Sequence, residues 1–373
     1  MHELPGTVRS RETALTTVAR RPEFHSLQVS SIDRLTDDSV ALTFAVPAEL
    51  ADDYEFTPGQ HVTLRCLPAG DDARRTYSLC SPPGRLRIGV KQVPGGVFSA
   101  YALGRLAVGD EVEVMTPMGH FTTSIDPANP RHRVAIVAGS GITPVLSIMA
   151  AALEGEPGSS FTLIYGNRSS RSVMFLDEVA DLKDRFPGRL SVFHVLSREP
   201  RDSALLTGRL DREKLEQLLD VAVDVDAVGE WFLCGPMALV ETARAVLKAR
   251  GIDKAKVHFE LFHVETAAPG ASVAAAPTSS AHTSKVDITL AGRTTSLLVE
   301  PTQDVLHAAM AVRPDVPYGC TNGMCGTCRA RVVEGDVEMD HCYALDDAEL
   351  AAGFVLTCQA QPRSEKVVLD YDA

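Results

Sequence analysis

Four cysteines near the C-terminus constrain this chain more than any other feature. Three of them, Cys320, Cys325 and Cys328, fall within the stretch GCTNGMCGTC, and Cys358 follows in VLTCQAQP. The spacing C-x4-C-x2-C with a distant fourth cysteine is typical of a [2Fe–2S] site. A loop must wrap two bridged irons with closely spaced thiolates, while a separate strand brings the fourth ligand. The sequence therefore predicts an iron–sulfur domain in this segment.

Interleaved glycines support this interpretation. Gly323 and Gly326 stand between the cysteines, where the backbone must approach the cluster closely and its N–H groups can point at sulfur. A structural zinc site is the alternative, but zinc modules usually contain paired C-x2-4-C knuckles. Most of the other cysteines are expected to be ordinary buried or incidental thiols.

Length and charge narrow the class of protein further. The chain has 373 residues and a mass of 40.0 kDa, so two or three domains are expected. Its formal net charge of −13 argues against a nucleic-acid partner. The sequence contains no run of eighteen apolar residues and no secretory signal, so we predict a cytoplasmic protein with no membrane partner. In a reducing compartment, clustered cysteines bind metal more often than they form disulfides.

A stretch without Asp, Glu, Lys or Arg separates the cysteine-rich segment from the rest of the chain. This stretch, 266–284, predicts a flexible linker that spans about 25 Å. The predicted organisation is an N-terminal tail (1–22), a β-barrel domain (23–128), an α/β domain (129–265), the linker (266–285) and the iron–sulfur domain (286–373).

Hydrophobic patterning differs between these segments. Residues 24–128 form short alternating strands separated by Gly and Pro turns, which predicts a small antiparallel barrel. Residues 130–264 alternate apolar strands such as RVAIVAG with helical stretches such as LVETARAVLKARG, which predicts a doubly wound parallel sheet. After the linker, a hairpin turning at Ala291-Gly292, a helix and further strands predict a compact α+β module. In this module Asp346 and Glu349 have capping-box spacing.

The barrel segment contains two patterns suited to a flat cofactor that bears phosphate. In RRTYS, Arg75 can pair with a phosphate, Tyr77 can stack on a ring and Ser78 can offer a hydroxyl to a ring nitrogen. In PGGVFS, Gly96 and Ser99 stand at a predicted helix start, which suits a pyrophosphate. Each pattern is weak by itself, and for the second pattern alone a glycine turn capped by serine is the better explanation.

The α/β segment contains nucleotide-binding patterns at its strand ends. RVAIVAGSGITP places Gly139 and Gly141 in a strand-to-helix turn, with Pro144 in the first helical turn. YGNRSSRS places Arg168 and Arg171 after the second strand, where arginines suit a 2′-phosphate and acidic residues suit a free 2′-hydroxyl. Arginines on a solvated loop are the alternative.

The last two strands of this segment end in further candidate residues. WFLCGPM places Cys234 at the carboxyl end of a strand, where ligands bind in sheets of this kind. HFELF then closes the sheet with Glu260 and Phe262.

Taken in order, the motifs RTYS, GGVFS, GSGITP, YGNRSSRS, CGPM and the cysteine set resemble the ferredoxin–NADP reductase superfamily fused to a C-terminal plant-type ferredoxin. The likeness covers about residues 24–373. The stretches FTLIYGNRSSRSVMF, HFTT and VLTCQAQP resemble the reductase components of phenylacetyl-CoA epoxidases in particular. The resemblance implies a FAD-binding β-barrel, an NAD(P)-binding α/β domain and a β-grasp ferredoxin domain.

The resemblance also implies roles for individual residues. It implies catalytic roles for Ser78, Cys234 and Glu260 where flavin meets nicotinamide. The implied contacts to FAD or NADPH are Arg75, Tyr77, Ser78, Val90, Lys91, Gly96, Val97, Ser99, Gly139, Gly141, Thr143, Pro144, Arg168, Arg171, Cys234, Gly235, Pro236, Met237 and Phe262. The implied cluster ligands are Cys320, Cys325, Cys328 and Cys358. Val97 departs from the family pattern, which often has arginine there, so one phosphate contact is expected to be missing.

These observations predict an oxidoreductase that passes hydride from NADPH to FAD, and single electrons through [2Fe–2S] to a separate multicomponent oxygenase. The expected oxygenase is a di-iron phenylacetyl-CoA epoxidase. A reductase of the same build that serves a Rieske or steroid ring hydroxylase, with NADH as donor, is the alternative enzyme. A non-catalytic redox-sensing or binding protein is the alternative of another class. The acidic run EGDVEMD, 334–340, is expected to present a docking surface to the oxygenase, with a solvated acidic face as the alternative.

Overall fold

The computed structural model describes residues 7–9, 22–66, 73–262 and 283–373. The chain divides into two compact units, the first formed by Phe24–Val264 and the second by Met1–Glu23 together with Glu265–Ala373. Most of the predicted linker lies outside the described residues, and its last two positions, Ser284 and Lys285, already belong to a strand of the second unit. In the described ranges, no helix has the length and apolar character needed to cross a bilayer.

Within the expected N-terminal tail (1–22), the structure describes residues 7–9 and 22. Residues Thr7–Arg9 form strand β1, which pairs antiparallel with Asp336–Glu338 in the second unit. Three residues are too few to show an alternating pattern, and the pairing partner is more than three hundred residues away. The sequence therefore contains no local signal for this strand.

An antiparallel barrel begins the first unit, as predicted. Its six strands have the order β5-β4-β7-β2-β3-β6, and a bridge between Leu79 and Ile88 joins the two ends of the sheet. Alternate side chains such as Leu27 and Val29 fill the interior and have no exposed surface. The elements are β2 (Phe24–Thr36), β3 (Ser39–Ala45), β4 (His61–Cys66), β5 (Ala73–Ser78), β6 (Arg87–Lys91), α1 (Val97–Gly104) and β7 (Glu111–Met115).

A parallel sheet completes the first unit, which confirms the doubly wound prediction. Its strand order is β10-β9-β8-β11-β12, so the chain reverses direction across the sheet between β8 and β11. Ligands bind at the carboxyl ends of the strands at such a switch point. The elements are β8 (His132–Ala138), α2 (Ile142–Gly155), β9 (Ser160–Asn167), α3 (Leu176–Arg185), β10 (Leu190–Leu196), α4 (Arg212–Ala222), β11 (Val228–Gly235), α5 (Met237–Ala249) and β12 (Val257–Leu261).

A buried ion network lies near the start of β8. Arg133 is fully buried and donates to Glu156 at 2.6 Å and to Glu230 at 2.9 Å. Burial raises the pKa of Glu230, but hydrogen bonds from His258 and Thr123 and the charge of Arg133 outweigh burial and lower that pKa to about 2. The network therefore keeps its carboxylates ionised and stabilises the sheet above the acidic range.

The second unit contains the predicted α+β module. A mixed sheet of order β14-β13-β19-β15-β17 packs with a smaller antiparallel sheet of order β1-β16-β18. The elements are β13 (Ser284–Leu290), β14 (Arg293–Val299), α6 (Val305–Met310), β15 (Arg329–Glu334), β16 (Asp336–Met339), α7 (Asp347–Ala351), β17 (Phe354–Leu356), β18 (Ala360–Pro362) and β19 (Lys366–Asp370). The hairpin turns at Ala291-Gly292 with φ of 58° and 66°, and Asp346 and Glu349 form the capping box before α7. Both local predictions are confirmed.

Candidate functional site

Two backbone segments approach each other closely at the switch point, and we call this contact the floor of the site. A Cβ on Gly141, in the turn after β8, would lie 2.3 Å from the carbonyl oxygen of Cys234 at the end of β11. A Cβ on Gly235 would lie 3.2 Å from the backbone nitrogen of Ala138. Gly139 and Gly235 have φ of 56° and 148°, which favour glycine. The predicted glycine pattern thus exists because no side chain fits between these two turns.

Ser78, Cys234 and Glu260 converge at this floor. Cys234 on β11 is paired directly with Glu260 on β12, so both residues reach the same edge of the sheet. The Ser78 hydroxyl, at the end of barrel strand β5, donates to Glu260 Oε2 at 2.9 Å. Burial, reinforced by the Glu260 charge, raises the pKa of the Cys234 thiol well above its usual range. The site therefore holds a neutral thiol beside a carboxylate whose position is fixed from the barrel.

His61 belongs to the same group, although no motif in the sequence singles it out. It lies on β4 directly opposite Ser78 on β5, is 3% exposed, and its Nδ1 is 3.9 Å from Glu260 Oε1. Gly119, with φ of 110°, packs against the imidazole so closely that a Cβ there would lie 2.6 Å from Nδ1. Only the register of the β4–β5 pair brings this histidine to the site.

The outer part of β5 presents an arginine and an aromatic ring. Arg75 is exposed and uses one N–H to reach the carbonyl of Arg74 at 2.7 Å. Four further N–H donors of its guanidinium remain for an anion. The Tyr77 ring lies 5.3 Å from the Phe98 ring at the start of α1, and both rings are tilted rather than stacked. Phe98 thereby sets the orientation of Tyr77.

The glycine turn before α1 is tied by Ser99. The Ser99 hydroxyl accepts from the backbone N–H of Val93 at 3.1 Å and donates to the carbonyl of Gly96 at 3.2 Å. A Cβ on Gly96 would lie 2.7 Å from that hydroxyl oxygen. Val97 is half exposed at the first position of the helix. Ser99 and Gly96 thus form the serine-capped turn that is the alternative explanation of this pattern beside a pyrophosphate site.

Strand β6 contributes two of the implied contacts in different ways. Val90 is fully buried in the barrel core, so its side chain has no exposed surface with which to meet a ligand. Lys91 lies 3.4 Å from the carboxylate of Asp38. The Asp38 carboxylate also accepts from Arg168 at 3.0 Å, which ties the barrel to the loop after β9.

The second predicted arginine, Arg171, has a different environment. It is exposed and forms no ion pair within the described part of the chain, although its charge contributes to lowering the pKa of Glu199. The predicted cationic loop is therefore formed, with one of its arginines engaged and the other available.

The remaining implied contacts border the floor of the site. The Thr143 hydroxyl donates to the carbonyl of Ser140 at 3.0 Å, and Pro144 occupies the first turn of α2. Phe262 N–H donates to the carbonyl of Gly235 at 3.1 Å. Pro236 and Met237 begin α5 directly after this carbonyl.

The four cluster cysteines lie in the second unit and form two pairs. Contact with the Cys325 thiol, together with burial, raises the pKa of Cys320, and contact with the Cys358 thiol, together with burial, raises the pKa of Cys328. Thiols bind metal as thiolates, so coordination removes these protons. Two pairs of ligands suit two bridged irons, each with two thiolates.

The loop between the first two ligands is shaped for sulfur. The backbone N–H groups of Asn322 and Met324 both point at Cys320 Sγ at 3.4 Å. Thr321, Gly323 and Gly326 have φ of 57°, 71° and 72°, which turn the backbone inward. In the described part of the chain, no three His, Cys, Asp or Glu side chains are placed to hold a metal ion as one group. Paired thiols with N–H donors to sulfur fit a binuclear cluster.

Comparisons with known proteins identify families for three parts of this chain. Three domain families match: the oxidoreductase FAD-binding domain over residues 26–123, the oxidoreductase NAD-binding domain over 135–245 and the 2Fe-2S iron-sulfur cluster binding domain over 288–363. One of the subunits of the 1,2-phenylacetyl-CoA epoxidase of Escherichia coli (strain K12) is 42% identical over 94% of this chain and 98% of the relative. This chain belongs to that family of oxygenase reductases.

A second curated relative and one solved structure are also similar to this chain. The 3-ketosteroid-9-alpha-monooxygenase, ferredoxin reductase component, of Rhodococcus rhodochrous is 34% identical over 92% of this chain and 96% of the relative. The crystal structure of phthalate dioxygenase reductase shares the fold with a TM-score of 0.56 and 23% identity, over 93% of this chain and 98% of that chain. The chain is thus an NAD(P)H-dependent flavin and iron–sulfur oxidoreductase, the reductase component of an oxygenase. Membership excludes the non-catalytic alternative.

The reductase contains three polar residues near the site that the sequence motifs do not identify. These residues are His61, Asp38 and Glu199. Each lies in or beside a predicted element, but each contacts a partner that is distant in the chain. A distance of 29 residues separates Glu199 from Ser170, with which it is hydrogen-bonded, and 130 residues separate Asp38 from Arg168. Only the tertiary structure relates them to the site.

Proposed function

We propose that this reductase takes hydride from NADPH and delivers electrons to a multicomponent di-iron oxygenase of the phenylacetyl-CoA epoxidase type. The observation that most favours this acceptor is the 42% identity to the 1,2-phenylacetyl-CoA epoxidase protein of Escherichia coli, which extends over 98% of that protein. The 3-ketosteroid monooxygenase reductase matches a similar length at 34% identity. A steroid or Rieske oxygenase is therefore the second candidate acceptor.

The bound flavin and the residues of the chain have separate roles in electron transfer. When bound, FAD takes two electrons together and releases them singly, which a nicotinamide and a [2Fe–2S] cluster cannot do between themselves. Ser78 and Glu260 hold each other at 2.9 Å, and this bond fixes a polar edge where flavin meets nicotinamide. Cys234 supplies a neutral, buried surface beside that edge, which keeps water out of the hydride path.

The cofactor phosphates have candidate partners on both domains of the first unit. Arg75 presents free donors on the barrel for the flavin phosphate, and Arg171 and Arg168 follow β9 for the nucleotide 2′-phosphate. The absence of an arginine at Val97, which is half exposed, leaves the pyrophosphate with one charged partner fewer. NADPH is preferred to NADH in this proposal because the β9 loop is cationic.

The acidic run after the cluster loop is less available for docking than its composition suggests. Glu334 pairs with Lys366 at 2.7 Å, and Glu338 pairs with Arg363 at 2.6 Å. Exposed pairs of this kind are weak, so a basic partner can still compete for the carboxylates. We expect a modest fall of electron delivery with salt, as the Debye length shortens from about 10 Å at 0.1 M to about 3 Å at 1 M.

The cytoplasmic location predicted from the sequence also stays a prediction.

Reconstitution with purified oxygenases tests the acceptor. The reductase is mixed with NADPH and either the oxygenase subunits of the Escherichia coli phenylacetyl-CoA epoxidase or those of the 3-ketosteroid monooxygenase. We expect phenylacetyl-CoA epoxide to form in proportion to NADPH consumed, and little steroid product. Efficient coupling only to the steroid enzyme would assign the reductase to the second candidate.

A further inference from the structure

The loop after β9 already holds an anion of the protein itself. The carboxylate of Glu199 accepts from both the backbone N–H of Ser170, at 2.8 Å, and the Ser170 hydroxyl, at 2.9 Å. Both donors reach the same oxygen, Oε2. These hydrogen bonds come first among the causes that lower the pKa of Glu199, followed by the charges of Arg201 and Arg171. Hydrogen-bond donors and nearby guanidinium charges also favour a phosphate monoester.

The backbone fixes Glu199 in this place. The pairing of β9 with β10 continues beyond the strands, with Ser197 N–H donating to the carbonyl of Asn167 at 2.9 Å and Arg198 N–H to that of Arg168 at 2.7 Å. The residue after Arg198 is therefore brought beside Ser170. The arrangement is part of the strand register rather than a chance position of a long side chain.

The charges around this loop explain why the position of Glu199 matters for an incoming anion. Arg171 and Arg201 are exposed and form no ion pair within 4 Å in the part of the chain that the structure describes. Arg168, by contrast, is held by Asp38 at 3.0 Å. Among the carboxylates around this loop, Glu199 is therefore the one that accepts the hydrogen bonds of Ser170.

We propose that Glu199 is a specificity-determining residue for the nicotinamide cofactor, because its carboxylate occupies the anion position that the 2′-phosphate of NADPH must take. This inference rests on the proposed use of NADPH. The 2′-phosphate displaces Glu199 from Ser170, and the displaced carboxylate remains near a group of the same charge. Like charges at short range weaken binding. NADH has no phosphate at this position and meets no such opposition.

The experiment compares two nucleotide fragments that differ only in the 2′-phosphate. Binding of 2′,5′-ADP and 5′-AMP to the full-length flavoprotein is measured by calorimetry for the wild type and for Glu199→Gln. The glutamine has the same size and removes the charge. We expect its dissociation constant for 2′,5′-ADP to be about tenfold lower than that of the wild type, while the value for 5′-AMP stays within about twofold.

Asp202→Asn is the matched control. Asp202 is an exposed acid three residues further on, and it makes no hydrogen bond to Ser170, so its loss changes the net charge by the same amount without freeing the donors. We expect about twofold or less for both fragments. An equal gain in the two variants, or no gain in Glu199→Gln, overturns the inference. Weaker binding of 5′-AMP by Glu199→Gln also overturns it, because Glu199 would then be a ligand for the ribose.

The same data separate this inference from the proposed use of NADPH. If the wild type prefers 2′,5′-ADP but the affinities of Glu199→Gln are unchanged, Glu199 does not determine specificity. The proposed use of NADPH is then still supported. If neither protein distinguishes the two fragments, the cationic loop does not read the 2′-phosphate and both proposals fall.

Discussion

Gly141→Ala tests whether the close approach at the switch point positions the hydride site. The φ of Gly141 is −62°, so alanine is compatible with the backbone and the whole effect is steric. The new Cβ would lie 2.3 Å from Cys234 O and 2.6 Å from Cys234 C, both backbone atoms that cannot rotate away. The two turns must separate by at least about 0.7 Å to reach the shortest contact that Cβ atoms show.

The displacement has consequences for stability and for rate. Overpacking of this kind costs about 1–3 kcal/mol of unfolding free energy. Since Cys234 is paired with Glu260, the movement also shifts the proposed site of hydride transfer, and a misplacement of about 1 Å can cost about 100-fold in rate. We expect flavin reduction by NADPH, followed by anaerobic stopped flow, to slow by about 10- to 100-fold. Urea unfolding of the same sample gives the stability change.

Gly104→Ala is the control for this variant. Gly104 ends α1, and a Cβ there would meet no atom within 4 Å. Alanine at a helical position stabilises by up to about 1 kcal/mol, so we expect unchanged or higher stability and an unchanged rate. A Gly141→Ala protein with the stability and flavin-reduction rate of the wild type would refute the assignment of this floor to the hydride site.

Three further variants test the cluster, the nucleotide loop and the buried ion network. Cys325→Ser should lose the cluster absorbance and bound iron but retain NADPH oxidation with ferricyanide, whereas Cys342→Ser should keep both; a Cys325→Ser protein with normal iron content would show that the ligand set is wrong. Arg168→Ala combined with Arg171→Ala should raise KM for NADPH about 10- to 100-fold more than KM for NADH, since hydrogen bonds between charged groups contribute about 1.5–3 kcal/mol each; equal effects on the two cofactors would remove these arginines from the 2′-phosphate site. Glu230 has a pKa lowered to about 2, so its contribution is complete above its ordinary pKa and is lost as the pH falls towards 2; Glu230→Gln should therefore be up to about 3 kcal/mol less stable than the wild type at pH 7, with the gap narrowing in acid, and a gap that is the same at pH 7 and pH 3 would contradict the pKa.

The iron–sulfur domain could be predicted from the sequence because the geometry of its proposed ligands is mostly local. Cys320, Cys325 and Cys328 belong to one loop, and the spacing that lets a loop wrap two irons is visible in the order of residues. The glycine turn of Gly139 and Gly141 is similar, since tight strand-to-helix turns require glycine whatever surrounds them. The types of domain could be predicted because the spacing of hydrophobic residues changes from one segment to the next.

Contacts between distant segments could not be predicted from the residues alone. The bond from Ser78 to Glu260 joins residues 182 apart, and only the resemblance to a family implied their common role. The partners of Arg168 and Ser170 are acids that look like ordinary surface residues in their own segments. Strand β1 depends on an edge offered by β16 at the other end of the chain. Such pairings are set by register and tertiary packing, which leave no periodic signal.

Electrons from NADPH should reach both a flavin and a [2Fe–2S] cluster held by this one chain. Anaerobic titration of the purified full-length reductase with NADPH, followed by visible absorbance, examines this electron path from end to end. Since FAD accepts two electrons and the cluster one, we expect the flavin and cluster bands both to bleach, with about 1.5 equivalents of NADPH completing the reaction. Bleaching that ends at about one equivalent with the cluster band unchanged, or a protein without bound iron, would show that electrons do not follow this path.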